Sequence, residues 1–347
     1  MASASHKISF GLWYDFRNPA AWRQSDKEIY NAIIDQVSWA ESIGYHDVWL
    51  AEHHFVDDRQ APPSPSPLIL AAAIAVRTKK IRIGTSVLLL PLYDPVRIAE
   101  DGATIDLLSG GRFELGIGVG YRAEEFAGFG IDYAHRGARA SEGLEIIRRL
   151  WEGESVTFRS KHFNIEDAKL SPLPIQKPHP PLWVGGFAKA SARRAARLAD
   201  GYIGTAIGAR DMSDIYKMYV DELKAAGKDP ALARVAGGMF WLVVSNDPER
   251  TWYEMAPHVQ FQISVYGEWT KKAGMDVYPS TPNLEALKAS GIFQVMTPED
   301  AIKAIRAFAD AVPIERFYCW TVPPGYPVRK MDEHLELMAM KVIPHFR

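Results

Sequence analysis

Residues 8–55, ISFGLWYDFRNPAAWRQSDKEIYNAIIDQVSWAESIGYHDVWLAEHHF, hold one complete strand–helix–strand unit. Residues 8–13 form an apolar run of strand length. Ser25 and Glu28 then stand three apart as a capping box, and Ile29, Ile33, Val37, Ala40 and Ile43 recur at helical spacing until Gly44 stops the pattern. Residues 46–51 read as the next strand, which ends in Glu52, His53, His54 and Phe55. Two strands joined through a helix form the unit from which parallel sheets are built.

The alternation continues outward from this unit. Further strands are expected at 81–90, 113–119, 182–184, 201–205, 235–244 and 316–322. Ser66-Pro67 and Asp94-Pro95 are cap-and-first-turn pairs that open helices, the first over 68–76 and the second ending at Gly110-Gly111. Later helices are expected at 140–151, 191–198, 211–226, 248–259, 298–311 and 330–340. Eight strands, each followed by a helix, predict an α/β fold, a (β/α)8 TIM barrel, as a single domain over residues 1–347. That length exceeds the ~250 residues typical of such barrels. The excess is placed in insertions at 157–181 and 266–296 near the carboxyl ends of the strands, where long segments often act as lids.

Forty Lys and Arg balance forty-two Asp and Glu, a net charge of −2 with no basic block, so neither nucleic acid nor a membrane surface is an expected partner. A small molecule fits better. The one cysteine, Cys319, excludes an internal disulfide and a cysteine metal cluster. No apolar run approaches the ~20 residues of a membrane span, and residues 1–7 lack the apolar core of a signal peptide; a cytoplasmic location is expected.

Barrel chemistry sits at the carboxyl ends of strands. Adjacent strand residues point to opposite faces, so His53 and His54 do not converge on one ion, and no metal site is expected. His54 is taken for a satisfied polar residue at the rim. Gly84-Thr85-Ser86-Val87 alone reads as strand packing. Gly116, Gly118 and Gly120 bare one strand face, either for a flat ring or for plain barrel packing, and lack the spacing of a dinucleotide fingerprint. Gly185-Gly186-Phe187-Ala188-Lys189-Ala190-Ser191 is a glycine turn entering a helix, where open amides and the Ser191 hydroxyl can hold a phosphate. Trp13, Tyr14, Phe55, Tyr93, Trp269 and Trp320 are candidates for an apolar pocket wall.

Taken in order, the runs 48–55 (VWLAEHHF), Ile83-Gly84-Thr85, Leu90-Pro91, Asp94-Pro95-Val96-Arg97, 111–120 (GRFELGIGVG), 142–151, 181–186 (PLWVGG) and Ala199-Asp200-Gly201 resemble the bacterial-luciferase-like family of flavin-dependent monooxygenases and deazaflavin-dependent oxidoreductases. The resemblance covers most of residues 8–205. It implies that His53 is the catalytic residue beside the reactive edge of the flavin, with Glu52 next to it in the cofactor site. Ser86 and Val87 match a pair joined by a cis peptide that bulges against the ring. Gly120 and Tyr121 match ring-lining positions, and Gly185, Gly186, Phe187, Ala188 and Ser191 fall in the phosphate loop. Two departures stand out. The family's phosphate-binding arginine near Val119 is absent, with Arg122 or Arg136 as substitutes, and Ala188 stands where a serine is common.

The implied function is that of an FMN-dependent monooxygenase with an exchangeable cofactor: reduced FMN from a separate flavin reductase and dioxygen oxidise a small organic substrate. A deazaflavin coenzyme and hydride transfer are the alternative, and a non-catalytic flavin-binding barrel is the third reading. A homodimer is a family-level expectation.

Overall fold

The computed structural model describes residues 7–60, 63–207 and 212–347. Its strands are β1 Ser9–Tyr14, β2 Asp47–Leu50, β3 Arg82–Thr85, β4 Leu88–Leu89, β5 Phe113–Gly118, β6 Ser155–Arg159, β7 Asn164–Lys169, β8 Leu182–Gly185, β9 Gly201–Ala206, β10 Val235–Met239, β11 Trp241–Val244, β12 Phe293–Met296 and β13 Arg316–Trp320. Its α-helices are α1 Asp26–Ile43, α2 Pro67–Arg77, α3 Pro95–Ser109, α4 Ala123–Gly128, α5 Arg136–Trp151, α6 Lys189–Leu198, α7 Met212–Ala225, α8 Pro248–Lys272, α9 Leu284–Ser290, α10 Pro298–Ala311 and α11 Asp332–Leu337.

Eight staves close on themselves in the order β1, β2, β3, β5, β8, β9, β10, β13, every neighbour parallel. This is the (β/α)8 barrel. Two of the expected caps act as such, while Ser66 precedes α2 without a side-chain cap bond. Ser25 accepts from the Glu28 amide at the start of α1, Asp94 accepts from the Val96 and Arg97 amides at the start of α3, and Gly44 ends α1 at a φ of 107°.

The elements differ from the expected ones at several points. The third strand breaks at the cis Ser86–Val87 peptide, and β4 resumes the pairing with β5 beyond it. The seventh breaks at Phe240, after which β11 leaves the barrel and pairs with β12. Residues 157–181 begin as the antiparallel hairpin of β6 and β7. Within 266–296, the first residues complete α8 and the last form β12, so the irregular part is shorter than expected. Helix α8 continues past Pro257 because Val259, Ile263 and Tyr266 extend its buried stripe. The expected helix at 211–226 begins one residue before the described part of α7. The last helix starts at Asp332 and passes into a π-helical turn at Met338–Val342.

Inside the barrel, Trp49, Trp183, Ile203, Ala236 and Tyr318 form one buried layer. Trp49 donates to Asp47 at 2.6 Å and Trp183 to Glu114 at 2.8 Å, so each ring is buried with its N–H satisfied. Below them Arg316 bridges Glu114 at 2.8 Å and Asp47 at 3.6 Å. Burial pushes the Asp47 carboxyl up to about 6 despite that arginine. The barrel is thus filled at its amino end, which leaves open space at the carboxyl end.

Candidate active site

A cleft of about 470 Å³ lies at the carboxyl ends of the staves. Its lining includes Glu52 and His53 after β2, Ser86 and Val87 between β3 and β4, Gly120 and Tyr121 after β5, and Gly185, Gly186, Phe187, Ala188 and Ser191 between β8 and α6. These positions are far apart in sequence and are gathered by barrel closure.

The glycine face of β5 is not bare. A Cβ at Gly118 would collide with the methyls of Val87, one at Gly116 with the Thr85 carbonyl, and one at Gly120 with the Phe126 ring. Packing thus requires all three glycines, and Gly118 makes room for Val87; Gly118, Gly120 and Val87 all line the cleft.

His53 is held from behind. Its Nδ1 lies 2.9 Å from Oε1 of Glu125, a buried carboxylate on α4. The same oxygen accepts the His54 amide at 3.0 Å and Arg122 Nη1 at 3.1 Å. Burial works against ionising Glu125, but His53, Arg122 and the His54 amide outweigh it and hold its carboxyl below the usual value. An ionised Glu125 accepts, so Nδ1 carries the proton and Nε2 is the nitrogen left for chemistry. Trp269 packs on the imidazole with ring centroids 5.1 Å apart, and Arg122 stacks 4.3 Å above the same indole.

Glu52 lines the cleft, yet its oxygens are committed. They take His54 Nε2 at 2.6 Å, the Leu89 amide at 2.7 Å and the Tyr93 hydroxyl. Glu52 therefore ties β2 to β4 and accounts for His54 as a satisfied rim residue. Neither Glu125 nor Arg122 was singled out from the sequence for this role. Glu125 stands beside Glu124 in a short polar segment, and Arg122 had been weighed as a phosphate ligand. The structure gives Arg122 to Glu125 and to the His54 carbonyl at 2.8 Å.

At the other end, Ala188 precedes α6 and no side chain caps the helix; the Ser191 amide bonds the Ala188 carbonyl at 2.8 Å, and the amides of Lys189 and Ala190 remain open among the described residues. Arg136, the first residue of α5, lines the cleft here, with its Nη1 on the Tyr133 carbonyl at 2.9 Å and its guanidinium 3.8 Å over the Tyr133 ring. Helices α5 and α6 are tied together by Arg194, which donates to Ser141 and to the Gly137 carbonyl. Of the two arginines considered, Arg136 is the one that reaches this space.

The aromatic candidates divide. Trp13 and Trp320 line the cleft and stack at 3.7 Å. Tyr14 instead turns to Gln36 of α1, Tyr93 to Glu52, and Phe55 lies exposed against Phe129. Trp269 closes the site behind His53. Tyr266 and Tyr278 line the cleft without having been selected from the sequence.

Comparison with known proteins identifies the family. The family model described as "Luciferase-like monooxygenase" matches residues 8–313. The chain is 33% identical over 205 residues to an F420-dependent glucose-6-phosphate dehydrogenase of Amycolatopsis mediterranei, covering 58% of this chain and 59% of that protein. It is 30% identical over 164 residues to the oxygenase component of a flavin-dependent trigonelline monooxygenase of Acinetobacter baylyi, covering 47% and 44%. These matches span about half the length of the curated relatives. In fold it superposes on the monooxygenase RslO1 of Streptomyces bottropensis with a TM-score of 0.83 at 23% identity, covering 98% of this chain and 100% of the other. The chain belongs to the luciferase-like monooxygenase family.

Proposed function

We propose that this protein is the oxygenase component of a two-component system, taking reduced FMN from a separate reductase and using dioxygen to oxidise a small organic substrate. The observation that carries the reading is the single cleft that joins His53, backed by ionised Glu125, to an uncapped helix start beside Arg136. A flavin-type cofactor fits that donor set: Val87 offers an apolar surface to a flat ring, and the open amides of α6 with Ser191 and Arg136 suit one phosphate. When bound, reduced FMN supplies the electrons that activate dioxygen.

The protein's share is positioning and proton handling. Glu125 fixes the imidazole, Nε2 of His53 holds or moves a proton at the cleft, and Trp269, Tyr121 and Tyr266 keep water from it. Charge supply favours FMN over a deazaflavin coenzyme with its acidic tail. Near the helix start, Lys189 and Arg193 are both paired with Glu222, at 3.6 and 3.0 Å, which leaves Arg136 as the cation for one phosphate among the described residues of this cleft. Hydride transfer with the deazaflavin coenzyme is the second reading, supported by the glucose-6-phosphate dehydrogenase relative.

Anaerobic titration of the purified protein with each reduced cofactor separates the two. Tighter binding of reduced FMN, followed by oxygen-dependent turnover in a substrate panel with a reductase, is the expected result; selective binding of the deazaflavin coenzyme would sink the FMN reading. We also propose a twofold dimer, on the exposed apolar Ile69 and Val76 of α2 and Leu107 and Leu108 of the adjoining α3.

A further inference from the structure

Beyond His53 the cleft ends in a chamber walled by aromatic side chains. The stacked Trp13 and Trp320 form one side, and Tyr266 lies with its centroid 5.8 Å from His53 and 6.3 Å from Trp320. Tyr278 stacks on Tyr266 at 5.5 Å and 12°. Two hydrogen-bond donors here have no partner among the described residues: the buried Tyr121 hydroxyl and the buried Trp320 indole N–H. Unpaired polar groups of this kind are rare in protein interiors. The indoles of Trp13, Trp49, Trp183 and Trp241 are all bonded, to Ser86, Asp47, Glu114 and Gln262.

Burial, and then the neighbouring Tyr266 and Tyr278 hydroxyls, push the Tyr121 phenol well above its ordinary value, so it stays a donor. Among the described residues the chamber also lacks a cation to meet an anion. Arg17 does not line the cleft: it lies behind Tyr266, 4.6 Å from its ring, with Nε neutralised by Asp15 at 2.6 Å and Nη2 without a partner among the described residues. Arg136 lines the cleft beside Tyr133, near the start of α6.

We propose that this chamber is the substrate subsite and that it takes a neutral ring compound bearing an acceptor oxygen, a ketone, lactone or phenol, while rejecting carboxylates and phosphates. The proposal rests on the oxidative reading of the cleft for the chemistry after binding, but it concerns binding itself. Tyr121 and Trp320 would donate to the oxygen, and the stacked rings would hold the ring system.

Three naphthalenes of similar size test it: 2-acetylnaphthalene, 2-ethylnaphthalene and 2-naphthoate, each titrated by tryptophan fluorescence into the full chain, with and without anaerobic reduced FMN. The ketone is expected to bind about ten-fold tighter than the carboxylate, because an unpaired charge loses its hydration there. It should bind about five-fold tighter than the ethyl compound, the advantage of a satisfied donor. Tyr121→Phe should shrink the preference of ketone over ethyl compound while ethylnaphthalene binds as before; Trp320→Phe, which also thins the stacked wall, should weaken both ligands and shrink the ratio between them. Equal or tighter binding of naphthoate, or a preference untouched in both variants, overturns the proposal. A protein that keeps the ketone preference but binds no reduced FMN overturns the oxygenase reading and leaves this one standing; the reverse pattern does the opposite.

Discussion

The two ends of the cleft are built differently. Around His53 the charged groups are tied to one another: Oε1 of Glu125 collects His53, His54 and Arg122, and Glu52 collects His54, Leu89 and Tyr93. At the start of α6, by contrast, a glycine turn and an alanine leave the backbone uncapped. One end is organised before any ligand arrives, and the other is completed by the ligand. The proposed supply of reduced FMN by a separate reductase would call for this contrast, a pre-organised group for proton handling beside a site that the cofactor completes.

The largest way to break this contrast is at its rigid end. His53→Ala should lower oxygen-dependent turnover by about 10²–10⁴-fold, the usual share of a positioned acid or base, while reduced-FMN affinity changes little. Steady-state rates alongside anaerobic titration check both halves. An equal loss in affinity would mean that His53 holds the cofactor and does not serve the chemistry.

Glu125→Gln tests whether the rigidity itself matters. Turnover should fall by roughly ten- to a hundred-fold, as for supporting residues behind a reactive group. The carboxyl is held below its ordinary 4.5, so its stabilisation of the fold is present above that pH and is lost as pH falls through the depressed value. The variant should therefore lose part of the acid dependence that thermal melts show below pH ~4.5. Unchanged turnover in the variant would reduce Glu125 to a packing role.

These two residues also mark how far the sequence could be read. Capping boxes, cap-proline pairs and helical spacing carry local information, and with them the barrel and the strand ends were legible. The Gly185–Ser191 turn stood out because it ends a strand and opens a helix, whereas His53, Ser86 and Val87 were assigned to the site through the family resemblance, since residues 84–87 alone read as strand packing. Glu125 was not legible, because Glu124 beside it is its chemical twin. Glu124 turns outward and pairs with Lys272 of α8, while Glu125 turns inward to His53. Only the packing of α4 tells them apart. The breaks at Ser86–Val87 and Phe240 were hidden for a related reason: no proline interrupts residues 81–90 or 235–244, and periodicity does not mark where a strand leaves its sheet.

At the loose end the contrast sharpens through Arg136→Ala. A charge-assisted bond to phosphate is worth about 1.5–3 kcal/mol, so reduced-FMN affinity should fall by about ten-fold or more. Riboflavin, which lacks the phosphate, should bind wild type and variant alike. A matched loss for both ligands would show that Arg136 shapes the ring site through Tyr133.

The smallest effect belongs to Ala188, whose methyl leaves the start of α6 uncapped. Ala188→Ser is compatible with its backbone, at φ −101° and ψ 150°, which lies in the extended region that cap residues adopt. The new hydroxyl oxygen can accept an amide of the first turn while its proton is donated to a phosphate. The ligand-free melt should rise by an amount matching about 1 kcal/mol, a typical cap contribution. Reduced FMN should bind about three-fold tighter, the effect of one added neutral hydrogen bond. If the melt rises and affinity does not change, the phosphate does not sit on α6, and the open helix start would be a defect of capping with no tie to the cofactor. If both rise, the alanine is a setting that keeps the cofactor exchangeable, and the difference between the two ends of the cleft is a functional one.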